Sequence, residues 1–349
     1  MTALTSELTW LDAKDIGIEG QGWADTESPY DRLPRKAERL LTNPDVWNFS
    51  KSPTGMCTHF RTNATEISVR WELMQEKWQE DQMNKCTFSG LDLYAKENGE
   101  WRWVACAVKY DNTLKPCVVI AEGLDGVERD YRLYFPLRNR LRKVEVGVAS
   151  ERMLEGIPPR ATRPLVAYGT SILHGAYASR PGLVYPSRLG RMLDLPVINL
   201  GVSGSARMEP EVADLLLELD PAVYLLDTFP NMGLGLVNER LEAFLRKLSR
   251  GKPEVPIVLV EDFPRTNAWI MPAKQEVDVK CERIREIVQA LQQEGLNLYF
   301  VEGHDLIGTD HEASIDGIHP NDVGYHRITE NVYPVLKQAI KSRTKESHA

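Results

Sequence analysis

The sequence predicts an N-terminal antiparallel β-sandwich, jelly-roll-like, followed by an α/β domain on a five-stranded parallel sheet. Three observations carry this. From about residue 55 to 150 apolar side chains recur with period two. After Pro158-Pro159, short wholly apolar runs alternate with helix-like segments. The chain has 349 residues, roughly the length of two ordinary domains. The expected division is a sandwich over 1–155, including the irregular, Pro-containing first 50 residues, and a catalytic domain over 156–349, with the boundary in MLEGIPPRATRP.

In the first half, EISVRWELM places Ile67, Val69, Trp71 and Leu73 on one face and Ser68, Arg70 and Glu72 on the other, as a half-buried strand requires. The alternation returns in Leu91/Leu93/Ala95, Trp101/Trp103/Ala105, Tyr131/Leu133/Phe135 and Val144/Val146/Val148, with the turn-like segments KENGE, KYDNTLKP and EGLDGVE between runs. Seven of the eight tryptophans precede residue 104. Trp71 and Trp103 stand in phase with aliphatic neighbours, which predicts core positions for both. An exposed aromatic platform for sugar rings is the alternative use of this half.

In the second half the expected order is a strand at 165–169, a helix near 184–193, a strand at 197–201, a helix near 209–219 and a strand at 222–228. A helix near 236–250, a strand at 257–262, a long helix near 276–294, a strand at 298–303 and a closing helix near 322–342 complete it. Strands buried on both faces and joined by helical crossovers form a parallel sheet covered by helices.

Composition narrows the function. Hydrophobic residues are 42% and charged residues 26%, which supports a sizeable core and excludes disorder. The net charge of -8 and pI near 5.5 argue against a nucleic-acid-binding face or a basic membrane-binding surface. The five cysteines (Cys57, Cys86, Cys106, Cys117, Cys281) are odd in number and form no CxxC pair, so neither a disulfide framework nor a structural zinc site is expected. No signal peptide or membrane span is apparent, and the expectation is a soluble cytoplasmic protein.

Reacting groups in a parallel α/β sheet gather beyond the carboxyl ends of the strands. The first strand ends in Tyr168-Gly169-Thr170-Ser171, the second in Asn199-Leu200-Gly201-Val202-Ser203-Gly204-Ser205 and the third in Asp227-Thr228-Phe229-Pro230-Asn231. Past the fifth comes Asp316-Gly317-Ile318-His319. These residues suffice for acyl transfer: a serine hydroxyl, an imidazole to take its proton, a carboxylate to fix the imidazole tautomer, and donors for an oxyanion. The expected roles are Ser171 as nucleophile, His319 as base and Asp316 as its orienter, with Ser171 N–H, Gly204 N–H and the Asn231 amide forming the oxyanion hole. Taken singly, each is an ordinary turn or loop residue; their order at successive strand ends gives the pattern its weight.

Gly-Thr-Ser171, Asn199-x-Gly-x-x-Gly204, Asn231 and Asp316-x-x-His319 resemble the four blocks of the SGNH/GDSL hydrolase superfamily, although Thr170 stands where the usual block has aspartate. Gly90-Leu91-Asp92-Leu93-Tyr94 resembles the signature of its branch with an N-terminal Gly-x-Asp-Leu-Tyr β-sandwich domain, which is carbohydrate-esterase-like. The resemblance implies a flavodoxin-like three-layer α/β/α fold and ester hydrolysis through an acyl-serine, with no metal and no organic cofactor. It implies a small acylated substrate, foremost an O-acetylated carbohydrate, and neither nucleic acid nor membrane as partner. An acyltransferase using the same triad and a non-catalytic carbohydrate-binding protein are the alternatives.

Competing motifs fail. There is no Gly-x-Ser-x-Gly elbow, His311-Glu312 lacks a second zinc-protease histidine, Gly251-Lys252 lacks the upstream glycine of a phosphate loop, and Gly233-x-Gly235 lacks a third glycine. The expected substrate-binding residues are His174, just after the nucleophile, and Arg265, Asn267 and Trp269 in the loop after the fourth strand.

Overall fold

Period-two alternation and continuous apolar runs lead to two different sheet types, and both are present. The computed structural model describes residues 7–75, 83–109, 113–271 and 277–346; Trp78 and part of the KYDNTLKP turn lie outside them. The first part of the chain contains β1 (Leu8–Asp12), α1 (Ala13–Ile16), α2 (Ala37–Leu40), α3 (Pro44–Phe49), β2 (Cys57–Thr62), β3 (Glu66–Leu73), α4 (Lys85–Ser89) and β4 (Leu91–Glu97). It continues through β5 (Glu100–Ala107), β6 (Cys117–Glu122), β7 (Arg129–Tyr134), β8 (Leu141–Ala149) and β9 (Leu154–Ile157).

The strands form two antiparallel sheets, β1-β8-β3-β6 and β5-β4-β7-β2-β9. One apolar cluster unites their inner faces, with Val69, Trp71, Val144 and Val146 from the first and Leu91, Leu93, Tyr131 and Leu133 from the second. Trp71 is buried as expected, its indole N–H donating to Ser89 O at 2.9 Å. Trp103 is not: it is 51% exposed. It lies on the edge strand β5, whose register against β4 shifts between Leu93 and Tyr94, so a simple period-two count along this strand misplaces its faces. Its indole N–H donates at 2.9 Å to Asp92, the fully buried aspartate of the Gly-x-Asp-Leu-Tyr signature.

Asp92 also receives Gly182 N at 2.8 Å and Arg180 Nη1 at 3.0 Å. Burial pushes its carboxyl above the ordinary range, against the pull of Arg180. A second departure from expectation is a disulfide between Cys86 in α4 and Cys106 in β5, while Cys57, Cys117 and Cys281 form no disulfide. The two cysteines lie 20 positions apart in no short motif, so only folding brings them together.

The second part contains β10 (Leu165–Gly169), α5 (Ser171–His174), α6 (Tyr185–Leu193), β11 (Val197–Gly201), α7 (Pro210–Leu217), β12 (Val223–Asp227) and α8 (Leu234–Gly251). It ends with β13 (Ile257–Val260), α9 (Val277–Gln293), β14 (Leu298–Val301) and α10 (Asp322–Glu346). All five strands are parallel, in the order β11-β10-β12-β13-β14. This is the flavodoxin-like order, with its topological switch point between β10 and β12. α8 buries Val237, Leu241, Phe244, Leu245 and Leu248, a three-and-four spacing that keeps one stripe inward. Proline occupies the first turn of α6 and α7, where a missing N–H costs nothing.

The chain divides into two compact units: residues 1–32, 51–161 and 179–182 form one, and residues 33–50, 162–178 and 183–349 the other. Residues 33–50, expected with the sandwich, thus fold with the parallel sheet. Polar side chains fix them there: Thr42 N and Oγ1 donate to Glu211 Oε1 on α7 at 2.8 and 2.5 Å.

Candidate active site

β10 delivers its terminus between two neighbours, with Gly169 opposite both Gly201 of β11 and Asp227 of β12. Thr170 N donates to Asp227 O at 2.9 Å and Val202 N to Gly169 O at 2.8 Å, so the sheet ladder extends to the residue before Ser171. Thr170 is the N-cap of α5, its side chain accepting from Ile172 N at 3.3 Å. That accounts for threonine at the position where the resemblance has aspartate, since both can cap. Ser171 is the first residue of α5. The helix is pressed so close to β11 that a Cβ on Gly201 would come within 2.4 Å of His174 N. From α10, the Tyr325 hydroxyl donates between Ile172 O and Ala176 O, at 3.0 and 2.8 Å.

Folding brings Ser171, His319 and Asp316 together across 148 residues of sequence. Ser171 Oγ lies 2.8 Å from His319 Nε2, and His319 Nδ1 lies 2.7 Å from Asp316 Oδ2. The carboxylate on Nδ1 favours the tautomer with its proton there, leaving Nε2 free to accept from the serine. Asp316 Oδ1 accepts Ile318 N at 2.9 Å and His319 N at 2.8 Å. Burial pushes the Asp316 carboxyl up, but the hydrogen bonds from His319 and Ile318 outweigh it and hold the group below the ordinary range.

The other expected donors lie in the loops after β11 and β12. Gly204 has φ +65°, and a Cβ there would meet nothing within 4 Å, so backbone conformation is what favours glycine. Asn231 closes the short 3-10 turn Phe229–Asn231, and its Nδ2 donates to Ser205 O. An amide has two N–H donors, and one suffices for that bond.

The substrate-binding expectations fare unevenly. His174 is fully buried; its Nδ1 lies 3.3 Å from Ser203 Oγ and its ring meets Phe49 edge-on at 5.8 Å. It therefore packs against the loop after β11, with its ring committed to protein neighbours. Arg265 is committed to buried Asp262, with bonds of 2.7 and 3.0 Å, beside Lys280 at 2.6 Å on the same carboxylate. A buried carboxylate requires such compensation, which a loop reading of the sequence does not anticipate. Asn267 packs against Gly317, between Asp316 and His319, while Thr266 N donates to Gly317 O at 3.1 Å. Trp269 is 68% exposed, its ring 6.4 Å from that of His311.

Three neighbours of the site escaped the sequence reading. Tyr177 meets the His319 ring edge-on at 5.1 Å and has φ +67°, unusual for a bulky residue. Asn43 donates from Nδ2 to Ser205 Oγ at 3.1 Å, and Phe49 packs on His174. Asn43 and Phe49 lie more than a hundred residues away in sequence and carry no motif, whereas the positive φ of Tyr177 leaves no trace in residue type.

Among the described residues, one group has ligand atoms close enough to hold a metal ion: Glu19, Cys57 and His59 in the sandwich unit. It does not fit one. Arg160 holds Glu19 at 2.6 and 2.9 Å, and Arg132 Nε donates to His59 Nε2 at 2.7 Å, so the site is already filled with positive charge. Burial, reinforced by Arg132, lowers His59 to about 3.

Comparison with known proteins bears on the family and the fold. The model of the GDSL-like lipase/acylhydrolase family matches residues 162–337, and that of the GxDLY N-terminal domain of SGNH-hydrolase-type esterases matches 8–154. No curated protein matches. A protein from Bacteroides ovatus ATCC 8483 described as a GDSL-like lipase is 30% identical, with TM-score 0.89 over 96% of this chain and 98% of its own. A salicylyl-acyltransferase from a tetracycline biosynthetic pathway shares the fold at 19% identity and TM-score 0.73, over 95% of this chain and 97% of its own. A family two carbohydrate esterase from Clostridium thermocellum does so at 14% and 0.59, over 83% of this chain and 96% of its own. The parallel sheet, the residues at its carboxyl edge and the matches to both halves lead to one conclusion: the chain belongs to the GDSL-like lipase/acylhydrolase family, in the branch with a GxDLY N-terminal domain.

Proposed function

We propose that the protein is a serine esterase that removes an O-acyl group, foremost O-acetyl, from a carbohydrate through an acyl-serine intermediate. The observation that carries this reading is the unbroken hydrogen-bonded series Ser171–His319–Asp316 at the carboxyl edge of the sheet. In the first half-reaction His319 Nε2 takes the Ser171 proton as Oγ attacks the ester carbonyl. The developing oxyanion is met by Ser171 N–H, Gly204 N–H and the Asn231 amide. His319 then gives its proton to the departing sugar oxygen, and in the second half-reaction it deprotonates the water that releases acetate. Asp316 stays ionised throughout and stabilises the imidazolium between steps. No step requires a metal or organic cofactor.

The carbohydrate class rests on likeness in fold to the clostridial carbohydrate esterase and to an acetyl xylan esterase from Butyrivibrio proteoclasticus. Trp269 offers an accessible aromatic face in a loop tied to the Asp316–His319 segment, and we assign it to the leaving-group side. Acetate release from p-nitrophenyl acetate and from acetylated xylo-oligosaccharides tests the reading. Ser171→Ala is expected to lower kcat by on the order of 10⁴-fold or more, and an unchanged rate overturns it. If added alcohols divert the acyl group from water, the activity is transfer by the same residues. If a serine-reactive phosphonate leaves no adduct on Ser171, the protein is a non-catalytic carbohydrate binder.

A further inference from the structure

The loop carrying Gly204 holds unusual backbone beyond its glycine, and its local bonds, such as Arg207 Nη2 to Gly204 O at 3.0 Å, are joined by contacts from far along the chain. Ala206 has φ +64° and Met208 φ +52°, left-handed conformations that a non-glycine residue adopts only at a cost. Both side chains are buried. Such conformations persist only where surrounding contacts over-determine them.

Residues 42–50 supply contacts on both sides of Gly204. At the start of α3, the Asn43 side chain is fixed at both ends: Oδ1 caps the helix by accepting Asp45 N at 3.1 Å, which turns Nδ2 toward Ser205 Oγ at 3.1 Å. Ser205 is itself buried, and its carbonyl accepts Asn231 Nδ2. At the other end of α3, Phe49 packs edge-on against His174, whose Nδ1 meets Ser203 Oγ. One short helix thus supports Ser203 through one end and Ser205 through the other. Its approach is anchored by both bonds from Thr42 to Glu211.

We propose that residues 42–50 are a strap that holds the oxyanion loop in its working geometry, with Asn43 and Phe49 as positioning residues for the reaction. The inference rests on the serine-esterase reading above. Asn43 acts through Ser205 on Asn231, and Phe49 through His174 and Ser203 on Gly204. Neither touches substrate.

Asn43→Ser is the discriminating variant, because serine still caps α3 but is too short to reach Ser205. With kcat referred to sites titrated by a phosphonate, so that unfolded protein does not count, kcat on p-nitrophenyl acetate is expected to fall about 10-fold. KM is expected to stay within about twofold, since ground-state binding is kept, and Tm to fall by no more than the loss of one buried hydrogen bond, since the cap is kept. Combined with Asn231→Ala, Asn43→Ser is expected to add little, because the two act in series. Phe49→Leu tests the other end, with the same separation of kcat from KM. Wild-type kcat per titrated site in Asn43→Ser, or losses that multiply in the double variant, overturns the proposal. If instead Ser171→Ala retains activity, it is the esterase reading that fails.

Discussion

The two loops that flank Ser171 are built by opposite means. The segment carrying Asp316 and His319 is held largely by local bonds: Asp316 accepts the N–H groups of residues two and three places on and then the His319 ring. The loop carrying Gly204 has left-handed alanine and methionine, and beside local bonds such as Arg207 Nη2 to Gly204 O at 3.0 Å its side-chain partners come from residues 43, 174 and 231, with Phe49 behind His174. Proton transfer needs a carboxylate and an imidazole in fixed relation, and a four-residue motif can encode that. An oxyanion hole needs donors converging from separate strands, and their precision depends on distant parts of the chain.

Two variants probe this contrast, from the larger effect on turnover to the smaller, and a third tests the strand end behind the nucleophile. Asp316→Asn should leave the protein folded and lower kcat by roughly 10³–10⁴-fold, because an amide can donate to Nδ1 and stabilise the wrong tautomer. Steady-state kinetics alongside a thermal melt check it, and a near-normal rate would move the orienting acid elsewhere. Because its hydrogen bonds hold Asp316 below the ordinary carboxylate range, it stays ionised through the near-neutral range, and its protonation should not limit kcat/KM there.

Asn231→Ala should cost roughly 10²–10³-fold in kcat, the effect of one oxyanion donor, with KM little changed. Equal losses in affinity and turnover would instead make Asn231 a ground-state binding residue.

The third concerns stability and leaves turnover aside. Asp227, behind the nucleophile turn, accepts the Tyr185 hydroxyl at 2.8 Å. Burial, opposed by that bond and aided by the charge of Asp262, raises it to about 7. An unfolded aspartate titrates near 3.9. Between these values the unfolded chain has released a proton that the folded protein keeps, so stability falls as pH rises through the window and levels off above about 7. Asp227→Asn should remove this slope, with a gain on the order of 4 kcal/mol at pH 8 that vanishes near pH 4. Denaturant melts at both pH values test it, and a constant difference would show that Asp227 does not titrate in the window.

Legibility in the sequence follows the same division. The five parallel strands were readable because burial on both faces leaves runs such as Leu165–Gly169 and Ile257–Val260 with little ambiguity. The inner face of β3 was equally plain. Other strands were not: β1, β2, β6 and β9 carry weaker patterns, and Trp103 turned outward where the β4–β5 register slips. At the site, residues bound to near neighbours in sequence, such as Asp316 and His319, announced themselves. Arg265 and His174 did not show their true partners, since a buried aspartate and a packed phenylalanine become visible only when the chain is folded.

The excursion of residues 33–50 into the parallel-sheet unit changes what a boundary means in this protein. A cut between the halves, made where the family match begins at residue 162, would keep the motif residues yet discard Asn43 and Phe49. Recombination or gene fusion at that point would inherit a complete signature and an incompletely supported loop. The unit that must be transmitted intact is therefore longer than the unit that can be recognised, which ties the history of the sandwich to that of the enzyme downstream.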